Sequence, residues 1–80
     1  MKFGVRIMPR EVILDTQGRA VEETLRRHKM ELKSCRVGRF VEIDVEAKTE
    51  SEGRDQVRRM TEYVLYNPLL ETFEIERLSE

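Results

Sequence analysis

Apolar and charged residues alternate through residues 35–45, C-R-V-G-R-F-V-E-I-D-V. Cys35, Val37, Val41, Ile43 and Val45 fall on one parity, and Arg36, Glu42 and Asp44, continued by Glu46, fall on the other. A period of two is that of a strand with one buried face, and only Arg39 and Phe40 break it. Reading Gly38-Arg39 as a hairpin turn would pair Arg36 with Val41 and Ser34 with Ile43, mixing the faces. The pattern therefore predicts one long strand, bent or bulged at Gly38. Such a strand spans roughly 36 Å, whereas a compact chain of this length is roughly 30 Å across. A strand that outruns its own domain must bend sharply or hand its far end to another copy, so a dimer with exchanged segments is expected.

The other elements follow from the same reading. Phe3, Val5 and Ile7 alternate with Lys2, Gly4 and Arg6 in a first strand that Pro9 ends. Asp15 is placed to cap a helix with Ala20, Val21, Leu25, His28 and Leu32 on one face, supported by Glu22 and Glu23 each four residues before an arginine. Thr49 and Glu52 have the spacing of a capping box. The helix they open is expected to carry Val57, Met60, Tyr63 and Val64 inward and Arg54, Arg58, Arg59 and Glu62 outward. Asn67-Pro68 should stop it, with Asn67 taking the left-handed cap. Phe73 and Ile75 then alternate with Thr72, Glu74 and Glu76 in a third strand. The expected fold class is α+β in the order β-α-β-α-β, a single domain over residues 1–80 with an antiparallel sheet covered on one face by two helices. It is related to the ferredoxin-like layout, with the usual central hairpin drawn out into one strand.

Composition sharpens this picture. Charged and apolar residues are each 39% of the 80, so the core is thin and oligomerisation is its natural supplement. Fifteen basic against sixteen acidic residues leave a net charge of −1, which gives no long-range attraction to nucleic acid or to an anionic membrane. No apolar run approaches a membrane span and no signal-peptide core follows Met1, so a cytoplasmic location is expected. The single cysteine, Cys35, is expected to be a buried, inert thiol.

Candidate chemistry is sparse. His28, the only histidine, lies at a helix end between Arg27 and Lys29, where its charge suits the helix dipole better than a general base. Cys35 has no histidine or acidic pair near it in sequence to make it a nucleophile or metal ligand. Glu42, Asp44 and Glu46 share a strand face that is expected to be solvated, or a polar dimer contact, rather than metal-binding. The clusters Arg26-Arg27-His28-Lys29 and Arg58-Arg59 sit among glutamates and read as solvated surface. The octet 36–43 resembles only weakly the base-stacking strand of RNA-recognition domains, since it offers Phe40 alone where those carry an exposed aromatic pair. With no phosphate loop and no dinucleotide fingerprint, the residues argue for a chain without catalytic groups of its own.

Three blocks carry a resemblance that covers essentially the whole chain: V-I-L-D-T-Q-G-R-A-V at residues 12–21, R-V-G-R-F-V-E-I at 36–43, and N-P-L-L-E at 67–71. Together the chain resembles PurS, the family of small subunits of phosphoribosylformylglycinamidine synthase in de novo purine biosynthesis. The family pattern L-D-P-Q-G-K/R matches Leu14, Asp15, Gln17, Gly18 and Arg19, with Thr16 where proline is usual. That departure loses only the preorganised φ of a first helical residue. V-R-x-G-K maps onto Cys35, Arg36, Gly38 and Arg39, and N-P-x-x-E onto Asn67, Pro68 and Glu71. In the family the first helix usually ends in a glycine turn, which residues 27–33 lack.

The resemblance implies a non-catalytic subunit that forms exchanged dimers, or tetramers of them, and joins the PurL synthetase to the PurQ glutaminase. The assembly turns formylglycinamide ribonucleotide, glutamine, ATP and water into formylglycinamidine ribonucleotide (FGAM), glutamate, ADP and phosphate. No cofactor is implied in this subunit; ATP and magnesium serve the partner synthetase. The implied partner contacts are the motif positions Asp15, Gln17, Gly18, Arg36, Gly38, Arg39, Asn67, Pro68 and Glu71, with no metal site and neither nucleic acid nor membrane as partner. Asp15, Gly18, Gly38 and Asn67-Pro68 also have local structural explanations, so Gln17, Arg36 and Arg39 are the strongest expectations for partner contact. A second reading is a small dimeric ligand-sensing domain of the ACT type. Its ligand loop would be M-P-R-E-V-I-L-D, which has no glycine.

Overall fold

The computed structural model describes residues 1–79. Three antiparallel strands, β1 (Lys2–Pro9), β2 (Arg39–Asp44) and β3 (Glu71–Ser79), form one sheet in the order β2-β1-β3. Two helices intervene, α1 (Thr16–Arg27) and α2 (Glu50–Met60), and α2 runs on into a single π turn, Thr61–Leu65. The registers Val5↔Val41 and Val5↔Ile75 align the odd-numbered apolar residues of all three strands on one face. That face carries the core: Phe3, Val5 and Ile7 are fully buried, with Val41, Ile43, Phe73 and Ile75 packed around them.

The helix that covers this face is α2. Its N-terminus is held by the predicted cap, with the Glu52 N–H donating to Thr49 Oγ1 at 3.1 Å, while the return bond of the capping box falls one residue earlier, Glu52 Oε2 accepting from the Lys48 N–H at 3.2 Å. Its inward stripe differs from the expected one. Gly53, Val57 and Thr61, spaced by four, are the buried positions, while Met60 and Val64 are exposed and Tyr63 is 90% exposed. The Phe3 ring sets this rotation. A Cβ on Gly53 would lie 2.6 Å from it, so only glycine lets the helix settle there. Thr61 tolerates full burial because its hydroxyl donates to the Val57 carbonyl at 2.8 Å. Arg54, expected outward, is half-buried instead. Its guanidinium lies 5.8 Å from the Phe3 ring centroid and donates to the Ile75 carbonyl at 2.7 Å.

The predicted long strand is shorter than its alternation suggests. Ladder pairing begins at Arg39, and residues 35–38 leave the sheet to run beside α1. Continuing the register would set Val37 opposite Pro9, which has no N–H to give. The Val37 and Cys35 N–H groups instead donate to Asp15 Oδ2 at 2.8 Å and Glu22 Oε2 at 3.1 Å. Cys35 is accordingly half-buried rather than buried. No side chain of α1 enters the sheet's core cluster, so Ala20, Val21 and His28, expected on an inward face, are exposed. The molecule measures 50 × 26 × 15 Å with a radius of gyration of 15.8 Å, against about 12 Å for a compact chain of this length.

Helix α1 closes without the usual glycine. Lys29 takes the left-handed conformation at φ 64°, the Met30 N–H reaches the Leu25 carbonyl at 3.0 Å, and the Lys29 N–H reaches that of Arg26 at 2.9 Å. These two bonds make a Schellman motif with lysine at its strained position. Replacing Lys29 by glycine should raise stability by about 0.5–1 kcal/mol, because a Cβ is disfavoured there. The measurement is the urea midpoint at constant m-value, and an unchanged or lower midpoint would refute it.

Candidate functional site

Pro9 ends β1, Arg39 opens β2, Glu71 opens β3, and α1 starts a few residues beyond the same end of the sheet. The topology therefore gathers three separate motif blocks at one place. A cavity of about 330 Å³ opens there, and Asp15, Gln17, Gly38, Arg39 and Glu71 line it together with Pro9 and Leu14.

Asp15 organises one wall. Its Oδ1 accepts from the Gly18 N–H at 2.8 Å, capping α1, and its Oδ2 accepts from the Val37 N–H at 2.8 Å, fastening the extended segment to the helix. These bonds, the Gly18 one first, hold the Asp15 carboxyl below its ordinary pKa of 3.8. Gly18 makes this approach possible, since a Cβ there would lie 2.4 Å from Asp15 Oδ2 and 2.5 Å from the Cys35 carbonyl oxygen. Gly38 is constrained in the same way by the Ile7 carbonyl oxygen, 2.3 Å from where its Cβ would be.

The opposite wall is an ion pair. Arg39 donates to both oxygens of Glu71, at 2.5 and 3.0 Å, and to the Leu65 carbonyl at 2.7 Å. Glu71 Oε1 also accepts from the Asn67 N–H at 2.9 Å. The paired guanidinium first, and then that N–H, hold the Glu71 carboxyl below its usual pKa, while Glu71 holds the Arg39 guanidinium above its own. Asn67 does not take the left-handed conformation expected of it. It closes the turn with its oxygens: Oδ1 accepts from the Leu69 N–H, and its carbonyl accepts from the N–H groups of Leu70 and Glu71.

Two further ties join the loops. Arg36 donates to the Pro9 carbonyl. Arg10 binds the Pro68 carbonyl through Nε and Nη2, at 3.2 and 2.7 Å, while its N–H reaches the Leu70 carbonyl at 2.8 Å. Arg10 carried no signal in the sequence, because only the fold brings loop 10–14 against loop 66–70. All nine motif residues thus lie at this end of the molecule, and most are engaged within the chain. Arg36 and Arg39 have intramolecular partners that sequence reading did not supply. The Gln17 side chain, exposed at the cavity, has no hydrogen-bond partner among the described residues.

The cavity's carboxylates are already satisfied and its one guanidinium is neutralised, leaving a neutral amide to offer. His28 lies at the far end of α1, and Cys35 donates its N–H to Glu22. Among the described residues no group of three potential ligands can hold a metal ion, and no helix is long and apolar enough to cross a membrane.

The chain matches the PurS family model, described as phosphoribosylformylglycinamidine (FGAM) synthase, over residues 2–79. It is 30% identical over 78 residues to the FGAM synthase subunit PurS of Thermotoga maritima, covering 96% of this chain and 95% of that one. Among solved structures, a chain of PurLQS from Thermotoga maritima superposes with a TM-score of 0.90 at 29% identity, covering 96% of this chain and 95% of that one. Bacillus subtilis PurS superposes with a TM-score of 0.82 at 29% identity, covering 98% of each chain.

The Asp15 cap makes stability depend on pH. Its carboxyl has a lower pKa folded than unfolded, so the unfolded chain binds the extra proton on acidification. The stabilisation is complete above the unfolded value near 4 and is lost as pH falls through the folded one. Asp15→Asn cannot accept from both N–H groups and should lower the urea midpoint at pH 7. At pH 3 the gap between variant and wild type should narrow; a gap that stays constant or widens would show that the carboxylate charge is not what matters.

Proposed function

The chain belongs to the PurS family of FGAM synthase, and on that premise we propose that it is the non-catalytic assembly subunit of that enzyme. It bridges the PurL synthetase and PurQ glutaminase subunits in the cytoplasm and supports the passage of ammonia from one to the other. The complex converts formylglycinamide ribonucleotide, glutamine, ATP and water into FGAM, glutamate, ADP and phosphate. ATP and magnesium serve the synthetase subunit, and this chain supplies no cofactor. The observation that carries this reading is the likeness over nearly the whole chain to a component of the PurLQS assembly. The cavity supports it, because its motif residues are spent on holding a shape and leave the Gln17 amide facing outward.

The working form is a dimer with exchanged segments. Residues 10–38 project from the sheet as an arm whose helix has an unpartnered apolar groove of about 260 Å³ along Ala20, Val21, Thr24 and Leu25. The edge of β2 away from β1 has no strand beside it. The five most exposed large apolar side chains, Val12, Leu14, Tyr63, Val64 and Leu69, belong to the hinge of the arm, the π turn and the neighbouring loop. A second copy related by a two-fold axis would lay its arm on this sheet and cover them.

Two measurements test the reading. Light scattering at micromolar concentration should give at least twice the chain mass, and a monomer would contradict the exchange. In an omit-one reconstitution with PurL and PurQ subunits of the same organism, glutamine-dependent FGAM formation should require this chain, whereas ammonia-dependent formation should not. Turnover with glutamine that is unchanged by leaving the chain out would refute the bridging role.

A further inference from the structure

The exchange proposed above uses the helix side of the sheet, the β2 edge and the hinge, and leaves the opposite face of the sheet open. That face carries charged residues around its centre, with Met8 and Thr72 at the end where Pro9 closes the strand. A Cβ on Gly4 would lie 2.1 Å from Phe40 Cζ and within 3.0 Å of two more ring atoms, so the tip of the Phe40 ring occupies the space that a side chain on the central strand would fill. It is held there and remains 48% exposed. On one side of it Lys2 pairs with Glu42 at 3.3 Å, and on the other Arg6 pairs with Glu76 at 3.0 Å. Asp44 is taken by the terminal ammonium of Met1 at 3.1 Å. The registers Arg6↔Phe40 and Arg6↔Glu74 put Phe40, Arg6 and Glu74 in one row across the three strands. Because Arg6 turns to Glu76, Glu74 is an exposed carboxylate without a partner among the described residues.

A fixed, half-exposed aromatic ringed by ion pairs that already satisfy one another has the make-up of an interface centre. Its surroundings say what fits it. One carboxylate is left over, and stacking this face on a second copy of itself would bring the two surplus carboxylates into one contact and favour neither. A basic planar group satisfies both features at once, since a guanidinium stacks on an aromatic face and pairs with a carboxylate. We propose that the open sheet face centred on Phe40 and Glu74 is the surface by which the dimer seats on a partner subunit of the synthase, receiving an arginine of that subunit. The inference rests on the assembly reading and adds the face and the chemistry that recognise it.

The test is a titration of the wild-type chain, Glu74→Arg and Phe40→Ala against the reconstituted PurL and PurQ subunits, with dimer mass and thermal unfolding followed in parallel. Glu74 is exposed and unpaired, so its variant decides the outcome, and the thermal unfolding reads what the like charge opposite Arg6 costs the fold. Both variants should keep the dimer mass and assemble at least tenfold more weakly. Assembly within twofold of wild type for Glu74→Arg overturns the proposal while the bridging role stands. Loss of a higher oligomer of the isolated chain in the variants, with assembly unchanged, also overturns it and makes the face a contact between copies. If the wild-type chain itself does not assemble with those subunits, the bridging role falls and takes this inference with it.

Discussion

The constraint on which the rest of the structure depends is the length of the central strand. β1 is paired on both sides and ends at Pro9, which has no N–H to give to a ladder. The extended segment that pairs with it begins four residues before that pairing starts. Those residues must find other acceptors, and they find them on helix α1, in Asp15 and Glu22. The helix is thereby tied to the departing segment rather than to the sheet. The elongated shape, the uncovered groove on α1 and the concentration of exposed apolar side chains near the hinge all follow from that division of hydrogen bonds.

The same end of the sheet explains why the motif residues are polar and yet mostly inward-looking. Three chain segments converge there without regular pairing, and each brings backbone groups that must be satisfied. Asp15 serves two N–H groups, Arg39 and Glu71 join the openings of two strands and take in Leu65 and Asn67, and Arg10 closes the loop at Pro68 and Leu70. A surface whose loops are already tied together by hydrogen bonds has less conformational freedom to lose on assembly.

Glycines place two of the aromatic rings by the same physical means. Gly53 admits the Phe3 ring beneath α2 and so fixes which helix positions face the core, and Gly4 admits the Phe40 ring on the open face. The first ring becomes the centre of the core and the second the centre of an exposed face. Their roles differ only because one side of the sheet is covered by a helix of the same chain.

The sequence by itself determined what is local. Strand parity follows from the two-residue alternation, and the starts of both helices from Asp15 and Thr49; Gly18 and Gly38, read from the sequence as backbone freedom, have no positive φ and are needed instead for close approach to Cys35 and Ile7. The family, too, was legible, because its motif residues stand at fixed spacings. Tertiary structure decided what depends on a distant neighbour. Alternation continues through residues 35–38, but whether they join a ladder depends on where β1 ends. The stripe of α2 that faces inward depends on the Phe3 ring, which overrode the spacing that favoured Met60, Tyr63 and Val64. Arg39, legible as a motif position, was not legible as the partner of Glu71, 32 residues away. Periodicity records which face of an element is apolar, whereas only the assembled sheet records which groups remain unsatisfied at its ends.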